Sequence, residues 1–368
     1  MNSYKYTDIQ QTDLLLRQQC SLVTCGQSVM RGERVATSLL PGTGDIHSPV
    51  GGKVSYVDAY RMTIVAENDT LVASVNLDGL SRDDLRKKLV ELGGDLPDVD
   101  TASTVIINGV DADADVLTRQ YMLTSSLETL ERGLATVTVL YIPGKTVLAT
   151  LSGVQVSLPG VVHSTIIDQY PAGLDPMVAK AVTGSESPEG TVVIGLDTLY
   201  HLGRIMETGL PVLDTMLSVN GRVQTVPLGV PVGELLRREG DHLLNQDRII
   251  LGGIMRGAAA VMPSQGVDRS DSAVSIIRNP DPVALDAACV GCGECVRRCP
   301  ARLDPAMLTN YAEFGMYDKA AEEHIDACFE CGLCGYFCIA RRPMLQYIRL
   351  AKNELAALQR QTREVFAS

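Results

Sequence analysis

The sequence predicts a multidomain chain of mixed α/β and α+β class that ends in a small helical module built around cysteines. Three observations carry this. A chain of 368 residues exceeds one ordinary core and divides into about two to four domains. Its middle alternates strand-like and helix-like segments, the pattern of a parallel sheet. Eight of its ten cysteines fall between positions 289 and 338, leaving only Cys20 and Cys25 outside.

Composition narrows the function. Hydrophobic residues make up 45%, enough for packed cores. The formal charge is −12, from 44 acidic against 32 basic residues. A nucleic-acid partner would want a basic face, so the expected partners are proteins. No run of 18 or more apolar residues occurs, so no membrane span is predicted. The first twenty residues lack the layout of a signal peptide. A cytoplasmic, reducing compartment is expected, where cysteines serve as ligands more often than as disulfides.

Residues 1–70 read as short strands and turns. Gly26–Val35 alternates Val with polar residues, and Ser48-Pro49-Val50-Gly51-Gly52-Lys53-Val54 is a tight turn entering a strand. These pieces predict a small β-sandwich. Residues 71–215 read as the α/β part. Ser81 is the expected N-cap of a helix carrying Leu85, Leu89 and Leu92, and Gly93-Gly94 end it. Thr104–Gly109 is a buried strand, Leu127–Leu134 a helix, and Val137–Tyr141 a strand. Gly190–Gly195 is a strand before a helix through Leu199, Leu202 and Ile205. Residues 216–278 form a compact α+β module. Pro280-Asp281-Pro282 links it to residues 279–368, the cysteine module, which closes on an amphipathic helix, Met344–Arg363. Its expected apolar positions are Leu345, Ile348, Leu350, Ala351 and Leu355.

The cysteines form two runs, Cys289-x2-Cys292-x2-Cys295-x3-Cys299-Pro300 and Cys328-x2-Cys331-x2-Cys334-x3-Cys338. This is the spacing of bacterial two-cluster ferredoxins. Three thiolates two residues apart in a turning loop wrap three corners of one cubane. The fourth leaves on a helix and reaches the other cubane. Cluster I is therefore expected on Cys289, Cys292, Cys295 and Cys338, and cluster II on Cys328, Cys331, Cys334 and Cys299. Gly291, Gly293, Gly332 and Gly335 supply backbone freedom there. A zinc ribbon, the competing reading, needs two cysteine pairs and closes at four ligands. His324 is expected at the surface. His47, His163, His201 and His242 show no paired spacing.

In their order along the chain these segments resemble the C subunit of Rnf-type ion-translocating electron transport complexes. Tyr170-Pro171-Ala172-Gly173, Thr183-Gly184, Val219-Asn220-Gly221, Val226-Pro227-Leu228-Gly229 and Gly252-Gly253-Ile254-Met255 match its landmarks, as does the helix around Gln346–Lys352. The resemblance implies an N-terminal barrel-sandwich hybrid (1–70), a Rossmann-like domain (71–215), a ubiquitin-like SLBB module (216–278) and a two-cluster ferredoxin-type domain (279–368).

It also implies FMN and NADH in the Rossmann-like domain, and three departures bear on them. Where the family has a glycine-rich phosphate loop, this chain has Leu92-Gly93-Gly94-Asp95-Leu96-Pro97-Asp98-Val99-Asp100. Acids stand where a phosphate would sit. The family's ECEP motif is replaced by Asp111-Ala112-Asp113-Ala114-Asp115, and its acidic IEDNK segment by Tyr141-Ile142-Pro143-Gly144-Lys145. The expectation is a degenerate domain without NADH, and without FMN unless the flavin site has been rearranged.

The function read from this is an electron-transfer subunit with two [4Fe–4S] clusters, rather than a complete enzyme. It would pass single electrons between a protein donor (a ferredoxin or a cytochrome) and other subunits of a redox complex, at the inner face of the cell membrane through protein contacts. The alternatives are an NAD(P)H-oxidising flavin and iron–sulfur subunit and a non-catalytic assembly subunit.

Overall fold

The computed structural model describes Tyr4 and residues 6–154, 156–280 and 288–367, with side chains to residue 359. The chain divides into two compact units, Met1–Arg278 and Asn279–Ser368.

In the first unit, residues 11–68 build two small antiparallel sheets. One orders its strands Gln11–Leu15, Arg61–Asn68, Gly51–Val57 and Ser28–Val29. The other orders them Gln19–Ser21, Arg34–Ser38 and Ile46–His47. Val35, Val54, Met62 and Ile64 are fully buried between them.

The middle of the chain forms a four-stranded, wholly parallel sheet. Its order is Val162–Ile166, Lys145–Leu151, Thr104–Asn108 and Thr191–Gly195. Ser81 caps the helix Arg82–Glu91 as expected, its hydroxyl accepting from the Asp84 N–H at 3.2 Å. The predicted strand over Val137–Tyr141 is instead the last turn of a long helix, Leu127–Tyr141. Three β-branched residues in a row suggested a strand. However, Leu130, Leu134, Val137 and Tyr141 recur every three or four positions and are all buried, a helical stripe that overrides local propensity.

That helix packs on Leu196–Thr208 through two glycines. A Cβ on Gly203 would lie 1.9 Å from the Thr129 carbonyl oxygen, and one on Gly133 2.1 Å from that of Leu199. Gly203→Ala should therefore destabilise the unit by about 2 kcal/mol. The overpacking cost of up to about 3 kcal/mol outweighs the gain in helix propensity of about 1 kcal/mol. Urea denaturation measures it, and an unchanged or raised midpoint would contradict the close crossing.

The third sheet mixes directions and orders Arg222–Pro227, Asp214–Val219, Ala273–Ile277, Arg248–Leu251 and Ala258–Ala259. Its first hairpin turns on Asn220 and Gly221, with φ of 48° and 78°, the left-handed pair that a tight two-residue turn requires.

The second unit is helical. Short helices Glu294–Arg297 and Leu333–Tyr336 follow the two cysteine loops, and Pro305–Glu313 and Tyr317–Glu322 lie between them. The final helix runs Met344–Ala367. Leu308, Ala312, Ala320, Ile325, Met344, Ile348 and Ala351 form a common core. The final helix thus packs on its own unit, with Leu345 buried and Leu355 against the core. Leu350, expected on the apolar face, is 42% exposed. It lies two residues from Ile348, off the buried stripe. The predicted linker residues Asp281 and Pro282 lie outside the described residues.

Candidate metal centre

Each cysteine run folds as a turning loop followed by one helical turn. Gly293 and Gly332 stand just before those turns in the left-handed region, at φ 71° and 76°. Gly291 has φ 69°, and its counterpart in the second run is Glu330 at φ 54°. A non-glycine residue is held in that conformation by its side chain. The carboxylate takes Arg349 Nε at 2.8 Å and Lys352 Nζ at 3.1 Å. Lys352 also donates to the Cys328 carbonyl at 2.8 Å. In the sequence Glu330 shows only as an anomaly at the position of Gly291, and nothing in the spacing of the Gln346–Lys352 helix announces its pairing with Arg349 and Lys352. Gly335 departs from expectation: it sits inside the helix Leu333–Tyr336 and has no positive φ.

The loops point backbone N–H groups at sulfur. Gly291 N–H donates to Cys289 Sγ at 3.5 Å, Glu330 N–H to Cys328 Sγ at 3.4 Å and Leu303 N–H to Cys299 Sγ at 3.4 Å. Such donors stabilise thiolate charge. Cys299, Cys328, Cys331 and Cys334 line one small cavity, closed by Leu303, Leu308, Leu345 and Ile348. Cys299 comes from the first run and the other three from the second.

The electrostatics agree with this grouping. Burial pushes the Cys334 thiol up to about 12, and the neighbouring Cys328, Cys331 and Cys299 sulfurs add to it. Burial also raises Cys328, with Cys331 and Cys299 contributing. Burial raises Cys295 as well, with Cys289 among its neighbours. Four thiols crowded into an apolar cavity resist ionisation unless a cation shares the space, which suits a positively charged iron core. Among the described residues no three His, Cys, Asp or Glu side chains converge tightly enough for a single ion. Four thiols from the two runs, three of them from one loop and two of them met by backbone N–H groups, nevertheless match the ligand set of a cubane at this cavity.

The two runs differ in exposure. Cys331 and Cys334 are buried, whereas Cys289 is exposed. Cys20 and Cys25 are exposed free thiols. His324, in the left-handed region at φ 59°, is exposed too. His47 and His201 are buried, and desolvation lowers His47 to about 4.

Open parallel sheets bind nucleotides beyond the carboxyl ends of their strands. Here several side chains at that edge bond to the chain itself. Asn108 donates to the Gly173 carbonyl at 2.9 Å and to Asp175 at 2.7 Å. Arg119 pairs with Asp197 at 2.8 Å and donates to the Val110 carbonyl at 3.0 Å. Asp197 lies in the first turn of the helix that follows Gly195. Burial alone would raise it, but the Arg119 guanidinium holds it below its ordinary value.

The Gly93-Gly94 remnant is packed just as closely. Arg269 donates to the Gly93 carbonyl at 2.9 Å and pairs with Asp95 at 2.9 Å, and Asp95 also takes the Gly44 N–H at 2.9 Å. Tyr141 and Arg86 both donate to the Pro97 carbonyl, at 3.0 and 3.1 Å. Asp113 accepts from the Met255 N–H at 3.1 Å and the Arg256 N–H at 2.8 Å, and Asp115 from the Ile254 N–H at 3.0 Å. The acids that replace the family's motif thus hold the Gly252–Gly257 loop.

Comparison with known proteins places the chain. Residues 281–339 match the 4Fe–4S dicluster domain. The C subunit of the Na(+)-translocating ferredoxin:NAD(+) oxidoreductase complex of Acetobacterium woodii is 24% identical over 92% of this chain and 88% of that protein. The C subunit of the ion-translocating oxidoreductase complex of Pectobacterium atrosepticum is 24% identical over 69% of this chain. The chain spans only 40% of that longer relative, and likewise 40% of its Rhodobacter capsulatus counterpart, to which it is 27% identical over 53% of its length. An NAD+-reducing [NiFe]-hydrogenase in the H2-reduced state aligns with TM-score 0.44 and 13% identity, over 70% of this chain and 60% of that one. The chain thus carries an iron–sulfur dicluster domain and is similar over most of its length to the C subunits of ion-translocating oxidoreductase complexes.

Proposed function

We propose that this chain relays single electrons through two [4Fe–4S] clusters, as an electron-transfer subunit within a redox complex of several proteins. Cys289, Cys292, Cys295 and Cys338 would hold cluster I, and Cys328, Cys331, Cys334 and Cys299 cluster II. The observation that supports this most is the cavity that Cys299 shares with three cysteines of the other run. A cubane supplies one-electron chemistry when bound. The chain supplies thiolates, N–H donors to them and an apolar wall that fixes burial and hence potential. No helix among the described residues is long and apolar enough to cross a membrane. Attachment to a membrane complex would then run through protein contacts. The decisive experiment is reduction of the purified protein by a reduced ferredoxin, read by EPR. Clusters that no protein donor reduces would leave the assembly-subunit reading instead.

Electrons would come from a protein rather than from NADH, because Asn108, Arg119 and Asp197 at the edge of the parallel sheet are tied to the chain's own groups and acids replace the glycine-rich segment after Gly94. Calorimetry with NADH should give no saturable heat, and a micromolar dissociation constant would refute this. A flavin reading rests on a separate cavity of about 270 Å³, lined by Arg17, Gln19, Asp45, His47, Asp95 and Asp268 among others. Its three carboxylates outnumber Arg17 and Arg269, and Arg269 is already paired with Asp95, a balance that does not favour a phosphate. Flavin absorbance in the protein after removal of the clusters would restore that reading.

A further inference from the structure

We infer that the surface around cluster I is a docking site for an acidic electron-carrier protein. This rests on the relay proposed above and names the partner at one of its ends. The short helices Glu294–Arg297 and Leu333–Tyr336 pack against each other. The Arg298 guanidinium lies 4.5 Å over the Phe337 ring, and Phe337 meets Tyr336 edge-on at 5.0 Å. The two cysteine runs therefore present one joint face. Its apolar part is Val296, Tyr336 and Ile339, which are 42%, 70% and 70% exposed. Large apolar side chains grouped in this way, rimmed by charge, mark interaction surfaces. Cys295 and Cys338, both expected ligands of cluster I, adjoin these residues in sequence.

The rim is basic. Arg297 and Arg298 keep 63% and 55% of their side chains exposed, and both reach Glu294. Arg341, also exposed, follows Ile339 by two residues. Counting Glu294, the face carries an excess of positive charge. Residues 304–333 contrast with it: Asp304, Glu313, Asp318, Glu322, Glu323, Asp326 and Glu330 stand against Lys319 alone. A chain of net charge −12 repels an acidic carrier on average, and a locally basic face offsets that repulsion. Local complementarity of that sort steers encounter and sets orientation. The other end of the relay differs, because cluster II sits among Leu303, Leu308, Leu345 and Ile348. The exchange is one electron, lost by the reduced carrier and gained by cluster I, with no bond made or broken.

The test uses the full chain with its clusters, and an acidic bacterial ferredoxin as the probe. Calorimetry with both proteins oxidised should give a dissociation constant that weakens steeply with salt. R297E/R298E should weaken it about tenfold or more and slow stopped-flow reduction by reduced ferredoxin about equally. Reduction by methyl viologen should be unchanged. Basic cytochrome c, drawn to the acidic remainder of the chain, should lose no affinity in the same variant, and an equal loss for both proteins would overturn the proposal. Ferredoxin binding or rates insensitive to both salt and charge reversal would overturn the proposal and leave the relay standing. So would self-association in sedimentation that the substitutions abolish, since the face would then join two copies. Clusters that neither viologen nor ferredoxin reduces would remove the relay and this proposal together.

Discussion

Cys299→Ala should cost the protein roughly half its iron, and the cluster lost should be the one held by the second cysteine run. Sequence position alone suggests the opposite, since Cys299 closes the first run. The argument is spatial. Cys299 lines the same cavity as Cys328, Cys331 and Cys334. The Leu303 N–H already aims at its sulfur. Without that thiolate, three ligands remain in an apolar cavity, and solvent takes the fourth corner. Cys338→Ala is the mirror experiment and should remove the cluster held by Cys289, Cys292 and Cys295. Iron analysis with EPR separates the two cases, because the two sites differ in burial and hence in potential. The pair of variants guards against misfolding: each should keep one cluster with an unchanged spectrum. If both variants lose the same cluster, or Cys299→Ala loses only the cluster of the first run, crossed ligation is wrong.

The cysteine runs were fully legible, because ligand spacing is a covalent constraint written directly in the chain. Parallel strands with helices between them were legible for a similar reason: buried strands such as Thr104–Asn108 are nearly all apolar. The strand expected at Val137–Tyr141 failed where local β-branching competed with a tertiary contact, the close crossing at Gly133 and Gly203. No local signal announces such a contact. The altered cofactor segments were visible as changes, but not as a purpose. Asp95, read as a charge facing a phosphate, is tied to Arg269, 174 positions later in the chain. Glu330 gave a signal that spacing rules ignore, a bulky residue at a glycine position whose partners lie a helix away.

Asp113→Ala should destabilise the first unit by about 3 kcal/mol or more. Asp113 is 5% exposed. Its carboxylate accepts three backbone N–H groups, from Ala114 at 2.7 Å, Met255 at 3.1 Å and Arg256 at 2.8 Å. Truncation leaves these donors without their acceptor, and hydrogen bonds to a charged group contribute about 1.5–3 kcal/mol each. Gly253 is bound to the same arrangement, since a Cβ there would lie 2.5 Å from the Asp113 side chain at a φ of 109°. Asp113→Asn keeps one acceptor and should lose about half as much. Burial pushes the Asp113 carboxyl up despite the N–H groups that favour its charged form, so acid would add the separate effect of protonating it. Chemical denaturation at neutral pH therefore gives the cleanest reading. A loss below about 1 kcal/mol would mean that the Gly252–Gly257 loop stands without its carboxylate, leaving that acid free for another role. A loss of the expected size, with ferredoxin-dependent cluster reduction intact, would assign the aspartates of 111–115 to architecture. The electron path would then owe nothing to the segment that the family devotes to its cofactor.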